Sequence, residues 1–242
     1  MTGIAKPQRK TGQALDFEVV PTQVEHAEQV YDVVRRAHGV PLHRECRGCN
    51  PPEILRQQLD RFPEGQFVAL AYEGDEERVV GTATLMRTSR PPSARPLPWI
   101  EAIGSHGLAN HDPTGTWLYG VEMAVRPDYQ GRGVGSALYR ARLGLIAKLG
   151  LDGMYAGGML KGYKKYCHLM NPVEYGEKVI LGELRDPTVT MQLNRGFKAY
   201  GVIENYEWDA AAGNCAVLIA WEVGTEQRRR PARDTDQLGA QA

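Results

Sequence analysis

The spacing of apolar positions changes several times along the chain, and each change predicts an element. FEVVP (Phe17–Pro21) is a short apolar run that predicts a strand. Val24, Ala27, Val30, Tyr31 and Val34 then recur three and four residues apart, the spacing of a helix with one buried face. PPEILRQQLDRF opens with prolines suited to a first helical turn and predicts a second helix. QFVALAYEG and RVVGTATLMRT predict two strands, with Gly74-Asp75-Glu76-Glu77 as the hairpin turn between them. From Ser89 to Gly115 five prolines and no clean period predict a long loop. TWLYGVEMAV (Thr116–Val125) predicts a strand, and Leu138, Ala141, Leu145, Ile146 and Leu149 mark the buried stripe of the helix beyond it.

In the last third, DGMYAGGM predicts a strand, followed by a polar, aromatic insertion that becomes helical after Pro172. DPTVTMQLNRGF predicts a short helix, and KAYGVIENY and CAVLIAWEV two closing strands. Strands and helices interleave, with hairpins in the first half and at the end, so the expected class is α/β with a mixed sheet (a mixed α+β arrangement). Residues 1–14 and 225–242 lack apolar periodicity and are expected to be disordered tails. Between them, 15–224 is expected to form one domain with insertions at about 89–116 and 159–186.

Composition narrows the function classes. Lys plus Arg equals Asp plus Glu, 29 against 29, so no global field invites nucleic acid or acidic lipid, and the Arg228-Arg229-Arg230 run reads as a solvated tail. No apolar run approaches the roughly 20 residues of a membrane span, and MTGIAKPQRK lacks a signal-peptide core, so the expected compartment is the cytoplasm. Cys46 and Cys49 form a Cys-x-x-Cys with His43 ahead of it, and Cys167-His168 could add ligands across the fold. A second Cys-x-x-Cys is missing, so the expectation is reduced thiols and no metal.

The stretch RPDYQGRGVGSALYRARLG (Arg126–Gly144) raises the central question. Gly131, Gly133 and Gly135 stand where a helix begins, although each glycine costs a helix about 1 kcal/mol relative to alanine. Glycine lets backbone approach a ligand, and the first N–H groups of a helix have no intrahelical partner. With Arg132 beside them, the turn reads as an anion cradle. A Walker A loop is excluded because no Gly-Lys-Ser/Thr follows. A Rossmann fingerprint would need glycine where Ser136 stands.

Val125-Arg-Pro-Asp-Tyr-Gln130-Gly-Arg-Gly133-Val-Gly135 resembles the acyl-CoA signature of the GNAT acetyltransferases, Gln/Arg-x-x-Gly-x-Gly/Ala after a strand. The order of elements from Phe17 to Val223 agrees with that family. The segment from AGGMLKGYKKY to GFKAYGVIENY is also similar to the GNAT module found joined to carbon–nitrogen hydrolases. No hydrolase follows here, so the module is expected to stand alone. The resemblance implies a mostly antiparallel sheet splayed between its fourth and fifth strands and flanked by helices. It implies that Gln130, Gly131, Arg132, Gly133, Val134, Gly135 and Ser136 hold the diphosphate of acetyl-CoA. It also implies that Met123, Ala124 and Val125 pair through their backbone with the pantetheine arm.

Acyl transfer to an amine needs a base for the ammonium and an acid for the leaving thiolate. Glu122 on the fourth strand is the candidate base; Tyr119 is a second polar group that simple alternation sends to the opposite face. Many GNATs carry a tyrosine four residues before the Gly-Phe that closes the helix after strand five, and Gln192 stands there instead. An amide can hydrogen-bond a thiolate but cannot give it a proton, so Tyr163 or Tyr166 of the insertion is the expected substitute. Asn194 is read as a helix-end residue. The insertions carry His106, His111, Asp112, Lys161, Lys164, Lys165 and His168 as candidate substrate contacts. The function implied is transfer of an acetyl group from acetyl-CoA to a primary amine of a small molecule, with no metal. The rival is a non-catalytic acyl-CoA-binding regulatory or partner module. Expected partners are that amine and, at most, a second copy of the chain as a homodimer, with neither nucleic acid nor membrane.

Overall fold

The seven expected strands all form, and their pairing order is what the periodicity could not supply. The protein is described by a computed structural model over residues 15–41, 43–44, 46, 49–74 and 76–224. The tails expected at 1–14 and 225–242 lie outside the described residues. The strands are β1 (Phe17–Pro21), β2 (Gln66–Glu73), β3 (Glu76–Thr88), β4 (Trp117–Val125), β5 (Gly153–Met159), β6 (Lys198–Ile203) and β7 (Ala216–Glu222). They make one sheet in the order β1-β2-β3-β4-β5-β7-β6. Every neighbouring pair is antiparallel except β4 and β5, which run parallel.

Helices cover both faces. On one side lie α1 (Ala27–Ala37) and α2 (Pro52–Arg61), which bury Val30, Val33, Val34, Leu55 and Leu59 against Val68, Leu70, Val79 and Ala124. On the other lies α4 (Val134–Leu149), whose Val134, Leu138, Leu145 and Ile146 are buried, as the apolar stripe requires. The helices α5 (Pro172–Ile180) and α6 (Val189–Leu193) pack on that same side through Tyr175, Val179 and Val189. Among the described residues no helix is long and apolar enough to cross a membrane.

The stretch expected as loop over 89–115 contains a short helix, α3 (Trp99–Ile103). Five residues give no legible period, yet Pro98 precedes the helix and Trp99 and Ile103 bury one turn apart. Gln58 of α2 fixes the insertion by donating to the carbonyl of His106 at 2.8 Å. The second insertion turns on the buried Asp186. Its carboxylate accepts from the backbone N–H groups of Gly162, Thr188 and Val189 and from the Tyr175 hydroxyl. One satisfied carboxylate thus ties the segment after β5 to the start of α6.

Candidate active site

The parallel pair is short. β4 and β5 pair only from Trp117 with Gly153 to Tyr119 with Tyr155. Beyond that, β4 stays with β3 as far as Val125 opposite Gly81, while β5 stays with β7 as far as Met159 opposite Ala216. The strands part like a V, and a cleft of about 470 Å³ opens between them, reaching from Gly120 and Ala156 to Gln130, Gly131 and Gly135 of the glycine turn.

At that turn the glycines are needed for their backbone. Gly131 has φ of +74° and Gly133 +95°, left-handed values that cost other L-residues about 1–2 kcal/mol. Gly133 is the residue that caps α4, with no side chain bonded to the helix start and no acidic residue in its first turn. The helix therefore presents its N-terminal N–H groups and its dipole to the cleft mouth. Val134 is buried and anchors the turn, the Gln130 amide donates to the Val125 carbonyl at 3.0 Å, and Arg132 lies over the Tyr129 ring. Ser136 accepts a 2.8 Å hydrogen bond from Arg195, which brings to the helix start a cation the sequence did not flag.

Deeper on the α4 side the wall is polar and incompletely paired. Tyr139 and Arg142, one turn apart, are both buried, and the Arg142 guanidinium lies 5.2 Å from the Tyr139 ring centre. Gln192 of α6 donates from Nε2 to the Tyr139 hydroxyl at 3.1 Å. Arg142 Nε and Gln192 Oε1 are buried without a hydrogen-bond partner. Burial depresses the Arg142 pKa, because the charged form is the one that loses hydration.

The opposite face of the V is acidic. Glu122 lies 3.8 Å from His38 at the end of α1, and Glu207, from the segment between β6 and β7, lines the same cleft. Burial raises the Glu207 pKa and the nearby Glu122 charge adds to it, against the opposing effect of Lys161 and His38. Lys161 itself pairs with Asp209 at 2.6 Å. Simple alternation fails for Tyr119. Thr84 pairs with Glu122 but Leu85 with Gly120, so Val121 is an extra residue and the bulge turns Tyr119 and Glu122 toward the same side. Tyr119 is buried there, sharing a 2.8 Å hydrogen bond with Tyr206, whose oxygen also accepts from the Gly157 N–H.

Several expected site residues lie elsewhere. Tyr163 is buried with its hydroxyl given to the Met170 carbonyl, and Tyr166 packs on Tyr175; neither lines the cleft. They serve the core of the insertion because the turn fixed by Asp186 aims them inward, and this corrects their candidacy as the acid. His111 stacks on Phe62 and accepts from the Arg87 N–H, Asp112 bonds Ser89 and Thr114, and His106 meets Asn50. The first insertion reaches the cleft through Trp99 and the second through Met159 and Lys161. Asn194 ends α6, as expected. Glu207 escaped sequence reading because it stands between two strands outside any motif; loop placement at a strand end was the one available signal.

Cys46 and Cys49 are joined in a disulfide and buried beneath α1 and α2, which corrects the expectation of reduced thiols. A disulfide leaves no thiolate to ligate metal. Among the described residues no three His, Cys, Asp or Glu side chains converge as metal ligands.

Comparison with known proteins gives consistent results. The sequence profile of the acetyltransferase (GNAT) family matches residues 27–161. The chain is 32% identical over 186 residues to "Probable hydrolase YhcX" of Bacillus subtilis (strain 168), covering 75% of this chain but 36% of that longer protein. It is 30% identical over 168 residues to "Uncharacterized N-acetyltransferase YkwB" of the same organism, covering 69% of this chain and 73% of the relative. Among solved structures, the loading GNATL domain of CurA from Lyngbya majuscula superposes with a TM-score of 0.69 at 18% identity, over 86% of this chain and 98% of that one.

Proposed function

The chain belongs to the acetyltransferase (GNAT) family, and on that premise we propose that it transfers an acyl group from coenzyme A to the primary amine of a small molecule. The observation that carries this reading is the V between β4 and β5, with the glycine turn at its mouth and two carboxylates on its far face. When bound, acyl-CoA supplies an activated thioester carbonyl; acetyl is the first such group to test. The residues present fit it. The N–H groups from Gly131 to Gly135 and the first turn of α4 suit a diphosphate, with the Gln130 side chain fixing the turn beside them through its bond to the Val125 carbonyl. β4 from Met123 to Val125 has lost its β5 partner and leaves backbone groups for an extended amide arm.

Glu122 takes the proton of the incoming ammonium, and Glu207 beside it helps to hold that cation. Tyr139 donates the proton that the leaving thiolate needs. Its oxygen already accepts from Gln192, so its own hydrogen is free to point into the cleft. Gln192 thus stands where the family tyrosine would, and holds another tyrosine in place. Gln192 is also the observation that favours a second reading, an acyl-CoA-binding partner module without turnover.

The test is calorimetry with acetyl-CoA followed by thiol release on incubation with pooled amine metabolites, amino acids and aminoglycosides. Amine-dependent thiol release is the expected result. Binding without release supports the second reading, and a chain that binds neither acetyl-CoA nor CoA itself overturns both.

A further inference from the structure

Arg142 is a buried cation whose donors are only partly used. It is 3% exposed, and its Nε has no hydrogen-bond partner. Nη1 reaches only the Met123 sulfur, at 3.5 Å, a weak acceptor. Tyr139 is the one group whose hydrogen bonding and charge act on it, and no carboxylate among the described residues does. A guanidinium buried without a counter-ion is costly to the fold and gains strongly from an anion that arrives with a ligand.

Its position selects the anion. Arg142 is eight residues into α4, which places it about 12 Å along the axis from the turn suited to the diphosphate. Its guanidinium sits against Gly120 and not at that turn, so the diphosphate is not the group it faces. The guanidinium lies at the closed end of the V, so near Gly120 that a side chain there would collide with Nη2, and beside Met154 and Ala156. This is where the strands converge and where the acyl end of an extended thioester must lie. An acceptor carboxylate is disfavoured, because the opposite face presents Glu122 and Glu207.

Resting on the acyl-CoA reading above, we propose that Arg142 receives the free carboxylate of a short dicarboxylic acyl group, so that the preferred donor is a half-thioester such as malonyl- or succinyl-CoA. The planar fork of the guanidinium suits a carboxylate with two parallel hydrogen bonds, one of them from the unused Nε. The neutral end of acetyl, propionyl or butyryl would leave the charge unpaired.

The experiment is direct binding of malonyl- and succinyl-CoA against propionyl- and butyryl-CoA, neutral thioesters of matched chain length, to the wild-type protein and to Arg142→Met and Arg142→Lys. The expected result is at least about tenfold tighter binding of the carboxylated pair to wild type, lost in Arg142→Met and partly kept in Arg142→Lys. Equal binding of charged and neutral thioesters to wild type overturns the proposal without any variant and leaves the acyl-CoA reading intact. A preference that survives in a folded Arg142→Met also overturns it. So does a loss in Arg142→Met of the same size for all four thioesters, because Arg142 would then serve the part of the ligand they share. If none of the four thioesters nor CoA itself binds, the acyl-CoA reading fails first and this inference with it.

Discussion

Gln192 and Tyr139 meet across the floor of the cleft, amide nitrogen to phenol oxygen at 3.1 Å, and so join α6 to α4 across 53 positions of sequence. The direction of that bond gives Tyr139 its proposed role, since the hydroxyl accepts there and keeps its proton to give. Tyr139→Phe is expected to lower kcat by about a hundredfold or more while thioester affinity changes little, because a positioned acid acts in the transition state. A pre-steady-state comparison of binding and chemistry checks this. Loss of affinity with kcat unchanged would assign Tyr139 to binding alone.

Gly133 combines a left-handed backbone with a place at the start of α4. Gly133→Ala is expected to cost about 1–2 kcal/mol of stability through backbone strain. Gly133→Asp adds a negative charge where a diphosphate must sit, so it is expected to abolish thioester binding beyond what the strain explains. Comparing the two variants by thermal denaturation and by calorimetry separates the effects.

Glu207 predicts a pH dependence of stability. Its pKa is raised in the fold by burial and by Glu122, so the folded state holds the proton more tightly than the unfolded chain does. Its contribution is favourable below the unfolded value of 4.5 and is lost as pH rises through the folded value, after which the half-buried charge opposes folding. Glu207→Gln should therefore gain Tm relative to wild type as pH rises from about 4 toward neutrality. Melting curves at both ends of that range check the sign, and a gap that narrows with rising pH would contradict it.

The disulfide predicts a thiol count. With Cys46 bonded to Cys49, thiol titration of the chain unfolded without reductant should find Cys167 and Cys215 alone. In the native protein the exposed Cys167 should react quickly, whereas the buried Cys215, its pKa raised chiefly by that burial, should react slowly.

Much of this architecture is legible in sequence, and for local reasons. The 3.6-residue stripe of α4, the proline starts of α2 and α5 and the glycine turn are each set by neighbours along the chain. The turn's place after β4 was readable too, because the motif and the strand are contiguous. What was not readable depends on distant contacts. The bulge at Val121, which brings Tyr119 and Glu122 to one side, exists only in the register of β4 against β3. The inward aim of Tyr163 and Tyr166 follows from Asp186, twenty or more residues later. The convergence of Glu207, Arg142 and Gln192 on one cleft requires β6, α4 and α6 to be placed first.

Glu122 offers the most direct test that the cleft is a site of acyl transfer to an amine. Glu122→Gln keeps the shape of the side chain and removes its basicity. With the best amine found for the wild-type protein, measured between about pH 6 and 9, kcat is predicted to fall about a hundredfold or more with thioester affinity and melting temperature nearly unchanged. A variant that keeps the wild-type kcat across that range would contradict the account.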